Sequence, residues 1–155
     1  MTAELSYDER LGVPLRWWVQ GTMLVASLWL ALIVALPGTV AWAISGVALA
    51  LVAALFLAYG GQKVTVRDGW FQAGRARIEG VHLGAVEALD AEQTRRIAGA
   101  EADARAYLLL RPYLKRAIRV EITDPADPAP YWLVTSRRPD ELARAVESLV
   151  SAAER

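Results

Sequence analysis

WWVQGTMLVASLWLALIVALPGTVAWAISGVALALVAALFLAYGGQ, residues 17–62, contains no Asp, Glu, Lys, Arg or His. A bilayer core of about 30 Å takes roughly 20 apolar residues per helix, and this run is long enough for two. It breaks once, at Leu36-Pro37-Gly38-Thr39. Proline and glycine together end one helix and favour a tight reversal. The run therefore reads as a hairpin of two transmembrane helices, over about residues 17–36 and 40–59. Leu, Ile, Val and Phe each favour insertion by a few tenths of a kcal/mol, whereas one Arg costs about 3 kcal/mol. With no charge to offset, both spans are expected to insert. Trp17, Trp18, Trp42 and Tyr59 fall where interfacial aromatics anchor a span.

Outward from the hairpin, the flanks set its orientation. Arg10 and Arg16 precede the first span, Lys63 and Arg67 follow the second, and the connecting turn is uncharged. The excess of positive charge on the cytoplasmic side places both termini in the cytoplasm of a multi-pass protein of the inner (plasma) membrane. The N-terminus is a poor secretory signal: Glu4, Asp8 and Glu9 offset its basic residues, and a second apolar segment follows at once. Residues 1–16 read as a short cytoplasmic segment, with Tyr7-Asp8-Glu9-Arg10-Leu11 as one turn of interfacial helix. Pro14 suits a helix start. Within the spans, Ser27, Ala31 and Ala35 recur every four residues, as do Gly46, Ala50 and Ala54. Such faces let membrane helices approach closely. The partner helix is left open between this chain and another, and an alanine-rich composition also produces such repeats.

The chain has 155 residues and zero formal net charge, which gives no bulk attraction to nucleic acid. It has no cysteine, and its one histidine, His82, makes no metal site alone. No cofactor or metal is expected.

After Gly60-Gly61 the periodicity changes to two. Val64 and Val66 alternate with Lys63, Thr65 and Arg67, and Asp68-Gly69 marks a type I′ hairpin. Trp70 to Ala73 returns, Arg75 to Ile78 is a short strand, and His82 to Leu89 is a fourth. Asp90 with Gln93 three residues on predicts a capped helix. Tyr107 to Leu110 reads as a buried strand. Ile118, Val120 and Ile122 alternate with Arg119, Glu121 and Thr123 in the next. Tyr131 to Ser136 returns after a proline-stiffened loop. Pro139, Asp140 and Glu141 then open a helix with an apolar stripe of Leu142, Val146, Leu149 and Val150. The sum is about six strands, one inserted helix and a closing helix. The expected fold is thus a membrane α-helical hairpin followed by a small α+β domain over residues 63–155. That domain is read as an antiparallel sheet or partly open barrel plugged by the C-terminal amphipathic helix.

Three stretches carry a family resemblance: Tyr7-Asp8-Glu9-Arg10-Leu11; Arg111-Pro112-Tyr113-Leu114-Lys115 with Ala117-Ile118-Arg119-Val120; and Asp124-Pro125 through Pro130-Tyr131-Trp132-Leu133-Val134-Thr135-Ser136-Arg137-Arg138-Pro139. With the hairpin, they resemble the actinobacterial membrane family known as domain of unknown function 3093. More broadly, the order of elements resembles bacterial pleckstrin-homology-like domains tethered to membranes. The resemblance implies architecture and no activity.

The functional candidates are basic. Arg111, Lys115 and Arg116 lie close together, and Arg137 and Arg138 follow the next strand but one. Near a bilayer such residues attract anionic headgroups, at about 1 kcal/mol each. An ordinary solvated face, or arginines that hold loop carbonyls and carboxylates, is the competing interpretation. Asp124 and Asp127 are few for a cation site and suit turns. Trp132 reads as core with Tyr131 beside it. No charge lies within the spans, and no phosphate loop, nucleophile elbow or metal-ligand spacing occurs. The reading is non-catalytic: a membrane-anchored module whose cytoplasmic domain meets anionic phospholipid headgroups or another membrane protein. The alternative is an accessory or assembly subunit of a larger membrane complex.

Overall fold

Asp68 and Gly69 both have positive φ, 52° and 80°, as a type I′ turn requires. They join β2 (Lys63–Arg67) to β3 (Trp70–Ala73) in a computed structural model that describes residues 6–155. Gly74, also at positive φ, turns β3 into β4 (Ala76–Glu79). On the other side of β2 lies β1 (Tyr7–Arg10), antiparallel, with Tyr7 opposite Val66 and Arg10 opposite Lys63. The interfacial helical turn expected over residues 7–11 is thus a strand. Its inward positions are Tyr7 and Glu9, and a buried carboxylate erases the apolar alternation by which a strand is recognised.

The second sheet contains β5 (Leu83–Leu89), β6 (Tyr107–Leu109), β7 (Ala117–Ile122) and β8 (Tyr131–Thr135), in the order β5-β7-β8-β6. β6 runs parallel to β8, while the other pairs are antiparallel. The strands therefore form two four-stranded sheets and no closed barrel, in place of about six strands in one curled sheet. Helix α3 (Ala91–Ala98) joins β5 to β6 and carries the expected capping box: the Gln93 amide donates to Asp90 Oδ1 at 2.8 Å, and the Asp90 amide donates to Gln93 Oε1 at 2.9 Å.

Between the sheets Val64, Val66, Phe71 and Ile78 meet Ile118, Val120, Trp132 and Val134 in one core. The Phe71 and Tyr107 rings stand 5.7 and 5.0 Å from Trp132. Helix α4 (Pro139–Ala153) lays Leu142 and Val146, both fully buried, into this core. Leu149 and Val150 pack at its margin. Tyr131 and Trp132 are both buried, so neither offers a recognition surface.

Residues 12–61 form a separate unit of two antiparallel helices, α1 (Leu15–Ala35) and α2 (Gly38–Gly60). Leu36 is extended (φ −128°, ψ 157°), the conformation that a following proline imposes, and this stops α1. The contact between the two helices runs through Gly21 and Val25 on α1 and through Ala41, Ser45, Val52 and Phe56 on α2. A Cβ on Gly21 would stand 3.0 Å from Val52 Cγ1. Trp18 meets Phe56 edge-on at 5.2 Å, and Trp29 lies 5.1 Å from Trp42. Ser27, Ala31, Ala35, Gly46, Ala50 and Ala54 are all exposed. The small-residue faces thus stay open, and a different stripe holds the pair together.

Truncation of Leu142 to Ala, where α4 enters the core, is expected to cost about 2–5 kcal/mol. Val81→Ala, at a side chain 59% exposed, is expected to be nearly neutral. Denaturant midpoints of the two variants against the parent check both.

Candidate functional site

The chain leaves the β domain at Leu11 and returns at Gln62. These two residues are neighbours: the Leu11 amide donates to the Gln62 carbonyl at 2.9 Å. Around this point the domain gathers segments distant in sequence. The loop that joins β6 to β7 reaches it through Tyr113, whose hydroxyl donates to the Leu11 carbonyl at 2.6 Å. The corner between β8 and α4 reaches it through Arg137, whose guanidinium donates to the Arg10 carbonyl at 2.9 Å. Loop and corner are tied to each other, since the Ser136 amide donates to the Arg116 carbonyl at 3.0 Å.

The tie beneath the corner is Glu9, which is only 5% exposed. Its Oε2 accepts from the Tyr7 and Ser136 hydroxyls, both at 2.5 Å, and its Oε1 accepts from the Arg137 amide at 2.9 Å. Three donors compensate the burial of one carboxylate. The Tyr7 hydroxyl is pushed well above the ordinary tyrosine range, first by burial and then by its bond to Glu9. Arg138 covers the Tyr7 ring at 5.2 Å.

Residues 6–146 match a family described as "Protein of unknown function (DUF3093)". The chain belongs to this family. No curated protein and no solved structure matches it. In this DUF3093 chain single residues of the three stretches, Leu11, Tyr113 and Arg137, meet at the exit point of the β domain.

The basic residues expected to act together divide by role. Arg116 pairs with Asp140 at 3.2 Å and Arg138 with Glu141 at 2.9 Å, both at exposed positions. Surface pairs of this kind contribute little, about 0–1 kcal/mol. Arg111 is half-buried; its guanidinium donates to the Leu110 carbonyl, and its amide donates to Thr135 Oγ1. Arg137 holds the Arg10 carbonyl. Lys115 is exposed and, among the described residues, makes no ion pair. Four of the five thus make side-chain bonds within the domain, Arg111 and Arg137 to backbone carbonyls and Arg116 and Arg138 to carboxylates.

Sequence reasoning missed the other cations at this end. Arg10 lies directly opposite Lys63, and the Gly74 amide donates to the Lys63 carbonyl at 2.8 Å, which brings the Gly74-Arg75 turn alongside. Recognition of residues 7–10 as a strand would have revealed the pairing. Asp124 and Asp127 cap their own loop, accepting from the Ala126 and Ala129 amides at 2.8 and 2.9 Å. A cleft of about 960 Å³ lies at the other end of β2, between the Asp68-Gly69 turn, Val81 and the second half of α4. Its walls mix Arg67, Arg144 and Arg155 with Asp68, Glu79 and Glu147, with no convergent set of catalytic groups.

Two outcomes test the tie. Glu9→Ala removes the acceptor shared by the Tyr7 and Ser136 hydroxyls and the Arg137 amide and is expected to destabilise by about 1–3 kcal/mol, measured by denaturant unfolding; Glu9→Gln, which keeps an acceptor, is expected to cost less. For Tyr7 the folded-state pKa is raised, so the folded state holds the proton more tightly than the unfolded chain. That stability is fully present below the unfolded value near 10 and is lost as pH rises above it. The alkaline fall in melting temperature above about pH 10 is expected to flatten in Tyr7→Phe.

Proposed function

We propose that this protein is a membrane-anchored, non-catalytic binding module. In this reading α1 and α2 cross the inner membrane as a hairpin, both termini are cytoplasmic, and the β domain is pleckstrin-homology-like. That domain presents its exit point to anionic phospholipid headgroups. The observation that carries the anchor is exposure. Among the described residues every exposed large hydrophobic side chain except Val81 and Leu108 lies between Leu15 and Leu57. Only 6% of the most apolar stretch of α1 and 11% of that of α2 is buried. A core helix of a water-soluble protein would be mostly covered; bare apolar helices 21 and 23 residues long call for a lipid solvent.

Connectivity supports the headgroup reading. With residues 12–61 in the bilayer, Leu11 and Gln62 are the domain residues tethered nearest to it. The segments bonded at this point carry the cations Arg10, Lys63, Arg75, Lys115, Arg116 and Arg137. Two sheets closed by a C-terminal helix, in that order, support the pleckstrin-like assignment. The second reading, an assembly subunit of a larger membrane complex, is favoured by the open small-residue faces: a Cβ on Gly46 would meet nothing within 4 Å. Gly46→Leu with Ala50→Leu is expected to abolish co-purification of a partner under that reading and to change nothing under the first.

The chain has no native cysteine, so single cysteines report topology without a background. Thr39→Cys is expected to react with a membrane-impermeant maleimide added to intact cells, and Asp68→Cys only after lysis. The reverse pattern, or recovery of the full chain in the soluble fraction without detergent, would refute the anchor. Full-length protein purified in detergent is expected to retain phosphatidylglycerol over phosphatidylcholine. Equal retention would refute the headgroup reading.

A further inference from the structure

Arg10 and Lys63 are direct cross-strand partners in the last rung of the β1–β2 ladder. Their neighbours Glu9 and Val64 point into the domain, so Arg10 and Lys63 share the outer face of the sheet, both exposed. Like charges directly opposite each other on one face of a sheet are destabilising. Nothing in the domain relieves this pair: among the described residues neither makes an ion pair, and Asp8, on the same face, lies opposite Thr65 and pairs with neither. Arg75, exposed at the adjoining turn, adds a third cation and no acid. An anion bound on this rung, one residue from the point where the chain leaves the domain, would turn the repulsion into attraction.

We infer that Arg10 and Lys63 clamp a phosphate group and that its source is the phosphodiester of an anionic phospholipid. A guanidinium supplies a planar fork of donors and an ammonium a compact point charge, and both match tetrahedral phosphate oxygens. The lipid source rests on the membrane reading above, which puts Leu11 and Gln62, the next rung, at the bilayer surface. The clamp adds to that reading a specific rung and a specific chemical group, in place of a diffuse basic surface.

The test uses full-length protein in a zwitterionic detergent, titrated with short-chain phosphatidylglycerol and followed by native mass spectrometry. Arg10→Gln with Lys63→Gln is expected to weaken binding about 30-fold, from roughly 1 kcal/mol per cation. Lys115→Gln, outside the clamp, is expected to weaken it no more than about fivefold. Inorganic phosphate in equal excess is expected to leave the lipid bound; full displacement would overturn the lipid source in favour of soluble phosphate. Lys63→Glu separates binding from folding. It replaces repulsion with attraction, so without lipid it is expected to raise the melting temperature by about 2 °C or more, while the phosphatidylglycerol preference is lost. A lower melting temperature, or an unchanged preference in the double variant, would overturn the clamp. If that unchanged preference disappears in Lys115→Glu with Arg116→Glu, the headgroup reading stands and only the clamp falls. If the parent protein itself does not distinguish phosphatidylglycerol from phosphatidylcholine, the headgroup reading fails, and the clamp with it.

Discussion

One hydrogen bond sets the plan of the molecule: the Leu11 amide on the Gln62 carbonyl, at 2.9 Å. It closes a loop that contains the whole of residues 12–61. For a flexible loop of that length the entropy lost on closure would be substantial, growing as (3/2)RT ln n. Two antiparallel helices of 21 and 23 residues, about 32 and 35 Å long at 1.5 Å per residue, return the chain to the level at which it left. Their near-equal length is what allows β1, encoded before the hairpin, to pair with β2, encoded after it. The apolar segment is therefore an insertion within a sheet and not an extension at its edge.

Glu9 is the consequence of that plan. β1 is an edge strand of four residues that meets its partner only after a long detour, so strand pairing alone holds it weakly. A buried carboxylate bridged to Tyr7, Ser136 and Arg137 fastens the strand to the start of α4 through charge-assisted bonds. An apolar residue at this position would pack, but it would leave the Ser136 hydroxyl and the Arg137 amide without their acceptor. The polar tie also orients the corner, because the same Ser136 hydroxyl accepts from the Arg138 amide at 3.0 Å. Fold and candidate site are coupled here: the group that anchors β1 also orders the backbone of two of the basic residues.

Local signals were legible in the sequence, and long-range ones were not. The Asp68-Gly69 turn, the Asp90–Gln93 capping box, the alternation through Ile118, Val120 and Ile122, and the Pro139 helix start each depend on residues within a few positions of one another, and each is present. β1 was hidden because its inward face reads Tyr-x-Glu. The parallel pairing of β6 with β8 was hidden because three residues, Tyr107 to Leu109, carry no signature of direction. The candidate site shows the same division. The proximity of Arg111, Lys115 and Arg116 is local, and the Arg138–Glu141 pair follows helical spacing. Arg116 with Asp140, and Arg10 opposite Lys63, need strand order and register that no local pattern encodes. The Ser27 and Gly46 faces were readable as stripes, but not as stripes turned away from each other.

The chemistry of the basic end separates scaffold from contact surface. The chain has only two lysines, Lys63 and Lys115, and both lie on segments bonded at the exit point. The arginines there are largely engaged: Arg111 on a loop carbonyl, Arg116 and Arg138 on carboxylates, Arg137 on the Arg10 carbonyl. That is work for a rigid fork with five donors, which loses less freedom per bond than a lysine would. Among the described residues the lysine side chains make no ion pair. A mobile, strongly hydrated ammonium gains little from neutral carbonyls and much from a dense layer of anions. Substitution of arginine at Lys63 or Lys115 would conserve charge but invite the fork into local bonds. Among the described residues Lys63 and Lys115, together with Arg10, thus stand outside the network of ion pairs that Arg116 and Arg138 make.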